Sequence, residues 1–353
     1  MSMHTRPFRT TLAVFAIALT TTGLLSACSN SNDEPSPAAG TGTGSTAGSS
    51  AFPVTIEHAF GETVVPAGPT RIVVAGYTEQ DTVLALGVVP VGVTEWYGEQ
   101  PYATWPWAQE ALGDAQPEVL SNDDGFETEK IAALEPDLII ATNAGLTADT
   151  YDTLSDIAPT LAQSDASTAY FEPWDVQAEK IGRALGRKTE VDALIDGVNQ
   201  KFADAAAAHP EFAGKKAIFL QNAFYEGKAI AYQDGLSTDF LTELGFAIPD
   251  DIDAYVPADG SAQASIPLEN LSVLDVADVL IWGTEGPGDR AQLEKEAVYN
   301  ALEPVQDGNL VFTDGVTAGA IYFTSVLSLP YVIDKLTPAL TDALDGTAAT
   351  ITG

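Results

Sequence analysis

Side chains of the types that hydrolases and metal centres use are scarce in this sequence. Its three histidines are His4, His58 and His209, and Cys28 is its one cysteine. So few imidazole groups disfavour a Ser-His-Asp arrangement, and no G-x-S-x-G, H-E-x-x-H or Walker-type motif occurs. His58 lies near the first predicted strand and His209 beside Pro210, so we expect surface positions and no shared metal site. The chain is therefore predicted not to be an enzyme.

Aromatic and polar side chains, in contrast, are concentrated directly after the predicted strands, where open α/β sheets bind ligands. In the first half of the chain these candidates are Tyr77, Thr78, Glu95, Trp96, Tyr97 and Asn143, with Trp105 and Trp107 in the segment after the second strand. In the second half they are Asn222, Phe224, Tyr225, Tyr232, Thr284, Glu285, Arg290, Tyr322 and Phe323. Aromatic ring faces, together with tyrosine hydroxyl and indole N–H groups that can form hydrogen bonds, suit a bulky organic ligand.

Short strands and helices alternate in the first half and would position these residues. Apolar runs indicate buried strands, and apolar residues at helical spacing indicate the helices between them. The predicted elements are a hairpin within 52–65, strands at 71–75, 88–93 and 138–141, and helices at 79–86 and 126–134. Short connections between alternating elements predict a parallel α/β sheet.

The second half repeats this α/β pattern after a long helical stretch at 174–209, in which Gly186 is a candidate break. Its predicted elements lie at 217–220, 238–244, 279–282, 310–313 and 325–344, the last an amphipathic helix. The predicted fold is two α/β lobes with parallel central sheets, joined by a single long bridging helix. The lobes are expected at 52–172 and 210–353, with the bridging segment at 173–209.

The first fifty residues carry the features of an exported protein. A short basic segment precedes an apolar run at 12–25, which is too short for a stable membrane span. The Leu-Ser-Ala-Cys that follows resembles a lipoprotein signal in which Cys28 receives the lipid. We expect a signal peptide at 1–27 and a flexible linker at 28–51. The protein is then anchored to the outer face of the cell membrane; an ordinary secretory peptide is the alternative.

The charge of the chain excludes one class of partner. Fifteen basic against 50 acidic side chains give a formal net charge of −35 over 353 residues. Such a surface repels nucleic-acid phosphates and raises the local concentration of cationic ligands.

Three segments resemble the ferric-siderophore and cobalamin binding family of ABC importers. Arg-Ile-Val at 71–73 leads to Ala-Leu-Gly-Val-Val-Pro-Val-Gly at 85–92. The second is Glu-Lys-Ile-Ala-Ala-Leu-Glu-Pro-Asp-Leu-Ile-Ile at 129–140, and the third is Ile-Gly-Arg-Ala-Leu-Gly-Arg at 181–187. Each alone is an ordinary helix stop or turn, but together they follow the family's order. The resemblance covers the chain from residue 52 to its end.

This resemblance implies that the strand ends of two lobes face each other across a cleft. It implies capture of a ferric siderophore, delivery to the permease subunits of an ABC importer, and little closure of the lobes. It also implies one exposed carboxylate on each lobe for permease docking, by position Glu129 and Glu269. Each lies in the first turn of a short predicted helix, where the helix dipole alone would favour an acid. We expect a monomer.

The residues after the strands favour one class of siderophore. Catecholate and citrate complexes of iron are anionic and call for several basic side chains, whereas these loops offer Arg290 and Lys228. Hydroxamate complexes are neutral or cationic, and aromatic rings bind them by packing and cation–π attraction. We therefore expect a ferric hydroxamate as the ligand and no other cofactor.

Three alternatives stay open. Haem or cobalamin could occupy the same fold, with Tyr77, Tyr97, Tyr225 or Tyr322 as an axial ligand of haem. The acidic pairs 123–124 and 250–251 could imitate a glycosidase site, although acidic loop residues are their commoner role. The tryptophans between positions 96 and 107 could serve local packing instead of ligand binding.

Overall fold

The fold is described from a computed structural model covering residues 52–164, 169–258 and 263–352. The predicted signal peptide, Cys28 and the linker lie outside these residues. Within the described residues, no helix is long and apolar enough to cross a bilayer. The chain from Ser49 to Gly353 is one compact unit that contains two separate sheets.

The N-terminal lobe is built on a five-stranded, entirely parallel sheet. It follows an antiparallel hairpin of β1 (Val54–His58) and β2 (Gly61–Val65), which confirms the hairpin predicted within 52–65. Its strands are β3 (Ile72–Val74), β4 (Gly92–Thr94), β5 (Glu118–Leu120), β6 (Leu138–Ala141) and β7 (Thr160–Ala162), in the order β5-β4-β3-β6-β7. Its helices are α1 (Gln80–Ala85), α2 (Gln109–Leu112), α3 (Thr128–Ala133) and α4 (Ala148–Ser155). The edge strands β5 and β7 were not predicted, because Glu-Val-Leu and Thr-Leu-Ala each contribute only two consecutive apolar residues, too few to indicate a buried strand.

The C-terminal lobe is built on a six-stranded mixed sheet. Its strands are β8 (Ala217–Tyr225), β9 (Lys228–Ala231), β10 (Ala264–Pro267), β11 (Val279–Gly283), β12 (Leu310–Phe312) and β13 (Ala349–Thr350), in the order β10-β9-β8-β11-β12-β13. β9 and β10 pair antiparallel, so the expectation of a wholly parallel sheet is corrected for this lobe. The tight turn after β8 reverses the chain, and a two-residue connection can join only antiparallel strands.

Two helices lie in the segment between the lobes. The predicted bridging segment consists of α5 (Trp174–Ala184) and α6 (Lys188–Ala208). Gly186, with φ +67°, reverses the chain between them. The helices then pack closely, since a Cβ on Gly182 would lie 2.2 Å from a Val191 methyl group. The candidate break at Gly186 is therefore present. Arg183 of α5 donates to the Thr55 carbonyl of β1 in the N-terminal lobe, and the long α6 is the helix that continues to the C-terminal lobe.

The remaining helices cover the C-terminal sheet and join it to the bridge. They are α7 (Asp239–Thr242), α8 (Asp289–Leu293), α9 (Ala297–Asn300), α10 (Glu303–Asp307), α11 (Gly315–Phe323) and α12 (Ser328–Leu344). The 3-10 helices are Pro101–Ala103 and Pro106–Ala108 in the N-terminal lobe, and Pro210–Phe212, Asp250–Tyr255 and Leu268–Val276 after the bridging segment. Lys201 on α6 donates to the Pro330 carbonyl and pairs with Asp334 on α12. One hydrophobic cluster runs through both lobes, from Ile72 on β3 to Phe219 on β8.

A buried carboxylate forms a second link between the lobes. Asp81 on α1 is fully buried, and its Oδ2 accepts hydrogen bonds from Ser325 Oγ at 2.5 Å and Trp107 Nε1 at 2.8 Å. Ser325 lies between α11 and α12, so the first bond joins the C-terminal lobe to the N-terminal lobe. Burial raises the pKa of the Asp81 carboxyl from 3.8 to about 6, while both hydrogen bonds oppose this shift.

The substitution Asp81→Asn should change how stability depends on pH. An acid whose pKa is raised by folding binds its proton more tightly in the native state, so the wild type loses stability as the pH rises from about 4 to about 6. The decrease in the free energy of unfolding is on the order of 3 kcal/mol, and Asp81→Asn should not show this decrease. Melting temperatures from pH 4 to 7 measure the difference. The exposed Asp196→Asn is the control, and equal pH slopes in wild type and Asp81→Asn would contradict a titrating buried carboxyl.

Candidate functional site

Aromatic rings from both lobes meet at the carboxyl ends of the sheets. Tyr77 and Trp96 stack with their centroids 5.6 Å apart. Trp96 also contacts two rings of the C-terminal lobe, Tyr322 at 6.3 Å and Phe323 at 5.7 Å. Tyr97 lies 6.2 Å from Tyr322. We call this group the ring cluster, and it consists of Tyr77, Trp96, Tyr97, Tyr170, Tyr322 and Phe323.

The backbone around the ring cluster explains how it forms. Tyr77 follows β3, whereas Trp96 and Tyr97 follow β4, the neighbouring parallel strand. Tyr322 ends α11 on the C-terminal lobe, and its hydroxyl donates to the Gly283 carbonyl at the end of β11. Tyr170 stacks on Tyr77 at 6.1 Å, although it follows no strand and the sequence pattern did not predict it.

Trp96 is the most accessible of the predicted tryptophans. It is 38 % exposed, whereas Trp105 is only 3 % exposed. A cavity of about 370 Å³ beside it is lined by Glu95, Trp96, Tyr97, Glu99, Val119, Leu120, Ser121, Asp123, Glu127 and Lys130. Glu95 is half-buried there, and burial raises the pKa of its carboxyl. A ligand can therefore reach the Trp96 ring.

Trp105 and Trp107 pack between the lobes instead of lining the opening. Their rings stack at 5.1 Å with planes 14° apart, and both contact Phe323. Gly319 on α11 lies under Trp105, since a Cβ there would be 2.6 Å from the indole ring. The local-packing alternative therefore describes these two residues, and the structure separates them from the accessible Trp96.

Thr78 and Asn143 are buried and join the ends of β3 and β6. The Asn143 amide donates to Thr78 Oγ1 at 2.9 Å. Between them the buried Glu79 carboxylate accepts hydrogen bonds from the backbone N–H groups of Asn143, at 2.7 Å, and Thr78, at 3.0 Å. Burial nevertheless raises the pKa of the Glu79 carboxyl. These groups form a polar base under the ring cluster.

Residues within β8 and directly after β9 and β11 form a polar region next to the ring cluster. Tyr232 is buried and its hydroxyl donates to Gln221 Oε1 at 3.4 Å, while Thr284 donates to the Thr313 carbonyl. Asn222 has φ +52°, and its buried Oδ1 has no hydrogen-bond partner. A cavity of about 420 Å³ opens here, lined by Gln221, Asn222, Ala223, Phe224, Tyr225, Ile230, Gln263, Asp289 and Gln292.

Two aromatic candidates of the C-terminal lobe do not join the ring cluster. Phe224 packs edge-on against Trp282 at 5.7 Å, on the core of this lobe. Tyr225, the next residue of β8, is 68 % exposed beside the turn to β9. Successive side chains of a strand point to opposite faces, so a single strand end cannot direct both rings into the cluster.

The basic candidates are also directed elsewhere. Arg290 forms an ion pair with Glu294 at 2.7 Å and lies over the Phe312 ring at 4.5 Å. Lys228 is exposed and pairs in register with Tyr225 next to the β8–β9 turn. Among the described residues, no ion pair or cation–π contact connects a Lys or Arg to the ring cluster.

The histidines lie far apart, but the expectation of two surface positions is wrong for His58. His58 is 4 % exposed and its Nε2 lies 2.9 Å from Thr63 Oγ1. The alternation of β1 turns this residue inward. His209 is half-buried and stacks on Phe212. No group of three His, Cys, Asp or Glu side chains among the described residues could hold a metal ion.

The two predicted docking carboxylates are exposed. Glu129 lies in the first turn of α3, and Glu269 lies in the first turn of the 3-10 helix Leu268–Val276. Each helix precedes a parallel strand, β6 in one lobe and β11 in the other. The two carboxylates thus occupy equivalent positions in the two lobes.

Known proteins are similar to this chain in fold and in sequence. A sequence model of the periplasmic binding protein family matches residues 72–317. The solved structure of a periplasmic solute binding protein from Mycobacterium smegmatis has 48 % identity and a TM-score of 0.77, covering 82 % of this chain and 98 % of that one. Streptococcus pneumoniae PiaA in complex with ferrichrome has 27 % identity and a TM-score of 0.72, covering 83 % and 99 %. The probable siderophore-binding lipoprotein YfiY of Bacillus subtilis is 28 % identical, over 88 % of this chain and 92 % of YfiY.

The substitution Gly319→Ala should destabilise the protein, although Ala normally favours a helix by up to about 1 kcal/mol over Gly. Its Cβ would overlap the Trp105 ring, and such overpacking costs about 1–3 kcal/mol. Urea unfolding measures the change. Gly197→Ala, at an exposed position of α6 with open space around it, is the matched control and should stabilise. A stabilising Gly319→Ala would contradict the close contact.

Proposed function

The chain belongs to the periplasmic binding protein family, and from this premise we propose that it captures a ferric siderophore and delivers it to an ABC importer. The ring cluster between the carboxyl ends of two sheets is the observation that carries the proposal. Two similar proteins are connected with such ligands. YfiY is described as a probable siderophore-binding lipoprotein, and the structure of PiaA was solved in complex with ferrichrome.

A ferric hydroxamate is the ligand class that the cleft supports best. The ring cluster supplies flat apolar faces and tyrosine hydroxyls, which suit a neutral or cationic complex. An anionic complex needs paired guanidinium or ammonium groups, and Arg290 is already paired with Glu294. Glu95 and Glu285 would in addition repel an anion at this opening.

Haem bound through a tyrosinate is less compatible with this site. Tyr97 and Tyr322 are two of the candidate haem ligands in the cluster, and burial raises the pKa of both hydroxyls well above the ordinary value of 10. Burial also raises the pKa of Tyr232 to about 12. A neutral phenol is a weaker iron ligand than a tyrosinate, so these groups favour hydrogen bonding to a chelate.

The arrangement of the whole chain follows from the same premise. We propose lobes at 52–172 and 210–353 that close little, because the segment 173–209 and the Asp81–Ser325 bond connect them. Export through the segment at 1–27, lipidation of Cys28 and a linker at 28–51 would tether a monomer outside the membrane. In this scheme the protein binds its ligand and catalyses no reaction.

Tryptophan-fluorescence titration of residues 29–353 with ferric siderophores tests the function. Ferric hydroxamates should quench saturably, whereas ferric enterobactin and ferric citrate, which are anionic, should not. Trp96→Ala should weaken hydroxamate binding by about tenfold, about 1.4 kcal/mol, because it removes an accessible ring face. Calorimetry measures affinity in the variant, and Tyr255→Ala, outside the ring cluster, is the control. If no complex quenches the fluorescence, siderophore binding is refuted. If only an anionic complex quenches it, the hydroxamate class is refuted.

Permease docking by Glu129 and Glu269 predicts a separation of uptake from binding. The double variant Glu129→Ala with Glu269→Ala should abolish ligand uptake by cells while affinity stays within twofold, because neither carboxylate lines the cavity beside Trp96 or the cavity beside Asn222. Glu190→Ala with Glu303→Ala removes two other exposed first-turn glutamates and should leave uptake intact. Equal loss in both double variants, or lost affinity in the first, would refute specific docking.

A further inference from the structure

Glu285 is the carboxylate closest to the ring cluster on the C-terminal lobe. It follows β11, is half-buried, and its Oε1 accepts a hydrogen bond from the Tyr322 hydroxyl at 3.3 Å. Its backbone N–H donates to Asp289 Oδ2, which fixes the turn that carries it. Burial raises the pKa of the Glu285 carboxyl, and the nearby Asp289 adds to the shift.

Among the residues that the structure describes, no basic side chain forms an ion pair with this carboxylate. Of the fifteen Lys and Arg residues, only Arg6 and Arg9 precede residue 52, so the described ranges contain the other thirteen. None of the ion pairs among the described residues includes Glu285. The nearest basic residue in sequence, Arg290, is paired with Glu294 and lies over Phe312. A partly desolvated carboxylate therefore lacks a counter-ion in this cleft.

The groups around Glu285 are mainly hydrogen-bond acceptors and ring faces. The carboxylate lies close enough to Tyr97, Tyr232 and Tyr322 to act on all three hydroxyls. The buried Oδ1 of Asn222 is an acceptor without a hydrogen-bond partner, whereas the Asn222 backbone N–H donates toward the Tyr322 hydroxyl oxygen. Acceptors and π-faces without a nearby cation are the surroundings that an ammonium group needs.

The charge of Glu285 is not required for the local packing. The Tyr322 hydroxyl has a second acceptor, the Gly283 carbonyl at 3.2 Å, and an amide oxygen at position 285 could accept the same bond as the carboxylate. A glutamine would therefore preserve the shape and the hydrogen bond while it removes the charge. The negative charge is therefore available to interact with a ligand.

We propose that Glu285, together with the rings of Trp96 and Tyr322, is a subsite for a pendant ammonium group of the siderophore. This inference rests on the proposed function and deepens it. The iron chelate would pack against the ring cluster, and a primary amine on a flexible arm would reach the carboxylate. The subsite makes the protein select cationic ferric hydroxamates over neutral ones of the same chelate.

Two forms of one chelate separate this inference from the function on which it rests. Ferrioxamine B carries a pendant ammonium, and its N-acetylated form has the same iron centre without the charge. The wild type should bind the cationic form about tenfold more tightly, equivalent to about 1.4 kcal/mol. Glu285→Gln should bind both forms equally, with the affinity of the wild type for the acetylated form. Fluorescence titration and calorimetry at fixed ionic strength measure all four affinities.

Each outcome of this experiment has one meaning. Equal binding of both forms by the wild type would overturn the ammonium subsite and leave siderophore binding intact. A preference that persists in Glu285→Gln would remove Glu285 from that role. Binding of neither form while ferrichrome binds would overturn the selection of cationic complexes, and binding of none of the three would refute the proposed hydroxamate function itself. Glu296→Gln, a charge removal on the same lobe after α8, is the control and should keep the wild-type preference. The comparison of the two forms in the wild type can by itself contradict the inference, so the test stands even if Glu285→Gln does not fold.

Discussion

The contact between the two lobes determines where every other feature of the site lies. Asp81 accepts bonds from Trp107 in its own lobe and from Ser325 in the other lobe. Trp107 stacks on Trp105, which packs on Gly319 of the C-terminal lobe. Rings and a buried carboxylate at one junction resist sliding, because each requires a specific distance and angle. The ring cluster is the accessible continuation of this junction, so its geometry depends on a packed core and not on a loop.

Electrostatics gives this cleft its selectivity in the scheme proposed here. An acidic chain has a long-range attraction for cations, but that field does not distinguish one cation from another. Discrimination requires a charge at short range in partly desolvated surroundings, where Coulomb interactions are stronger. Glu285 has such surroundings, while Arg290 is held by Glu294. Aromatic faces contribute packing for the chelate, and one carboxylate distinguishes an ammonium from a neutral arm.

Much of the framework was predictable because it depends on local patterns. Strand β6 coincides with the predicted run at 138–141, and helix α12 ends at the predicted residue, since long apolar periodicities survive tertiary context. The ends of parallel strands also predict which residues gather: Tyr77 and Trp96 stack because β3 and β4 are neighbours. Antiparallel β9 and β10 were not predicted, because an alternation over only four residues is too short to distinguish a strand from a loop.

The sequence by itself determined the α/β class, the break at Gly186 and the family to which the chain belongs, because these depend on spacing along the chain. Only the tertiary structure decided which candidate rings share a space. Trp105 turned inward onto Gly319, Phe224 joined the core near Trp282, and Tyr170 joined the cluster from a segment without a strand. The physical reason is that a side chain's direction depends on the face of its element and on what packs there, and contacts between residues far apart in sequence leave no local pattern.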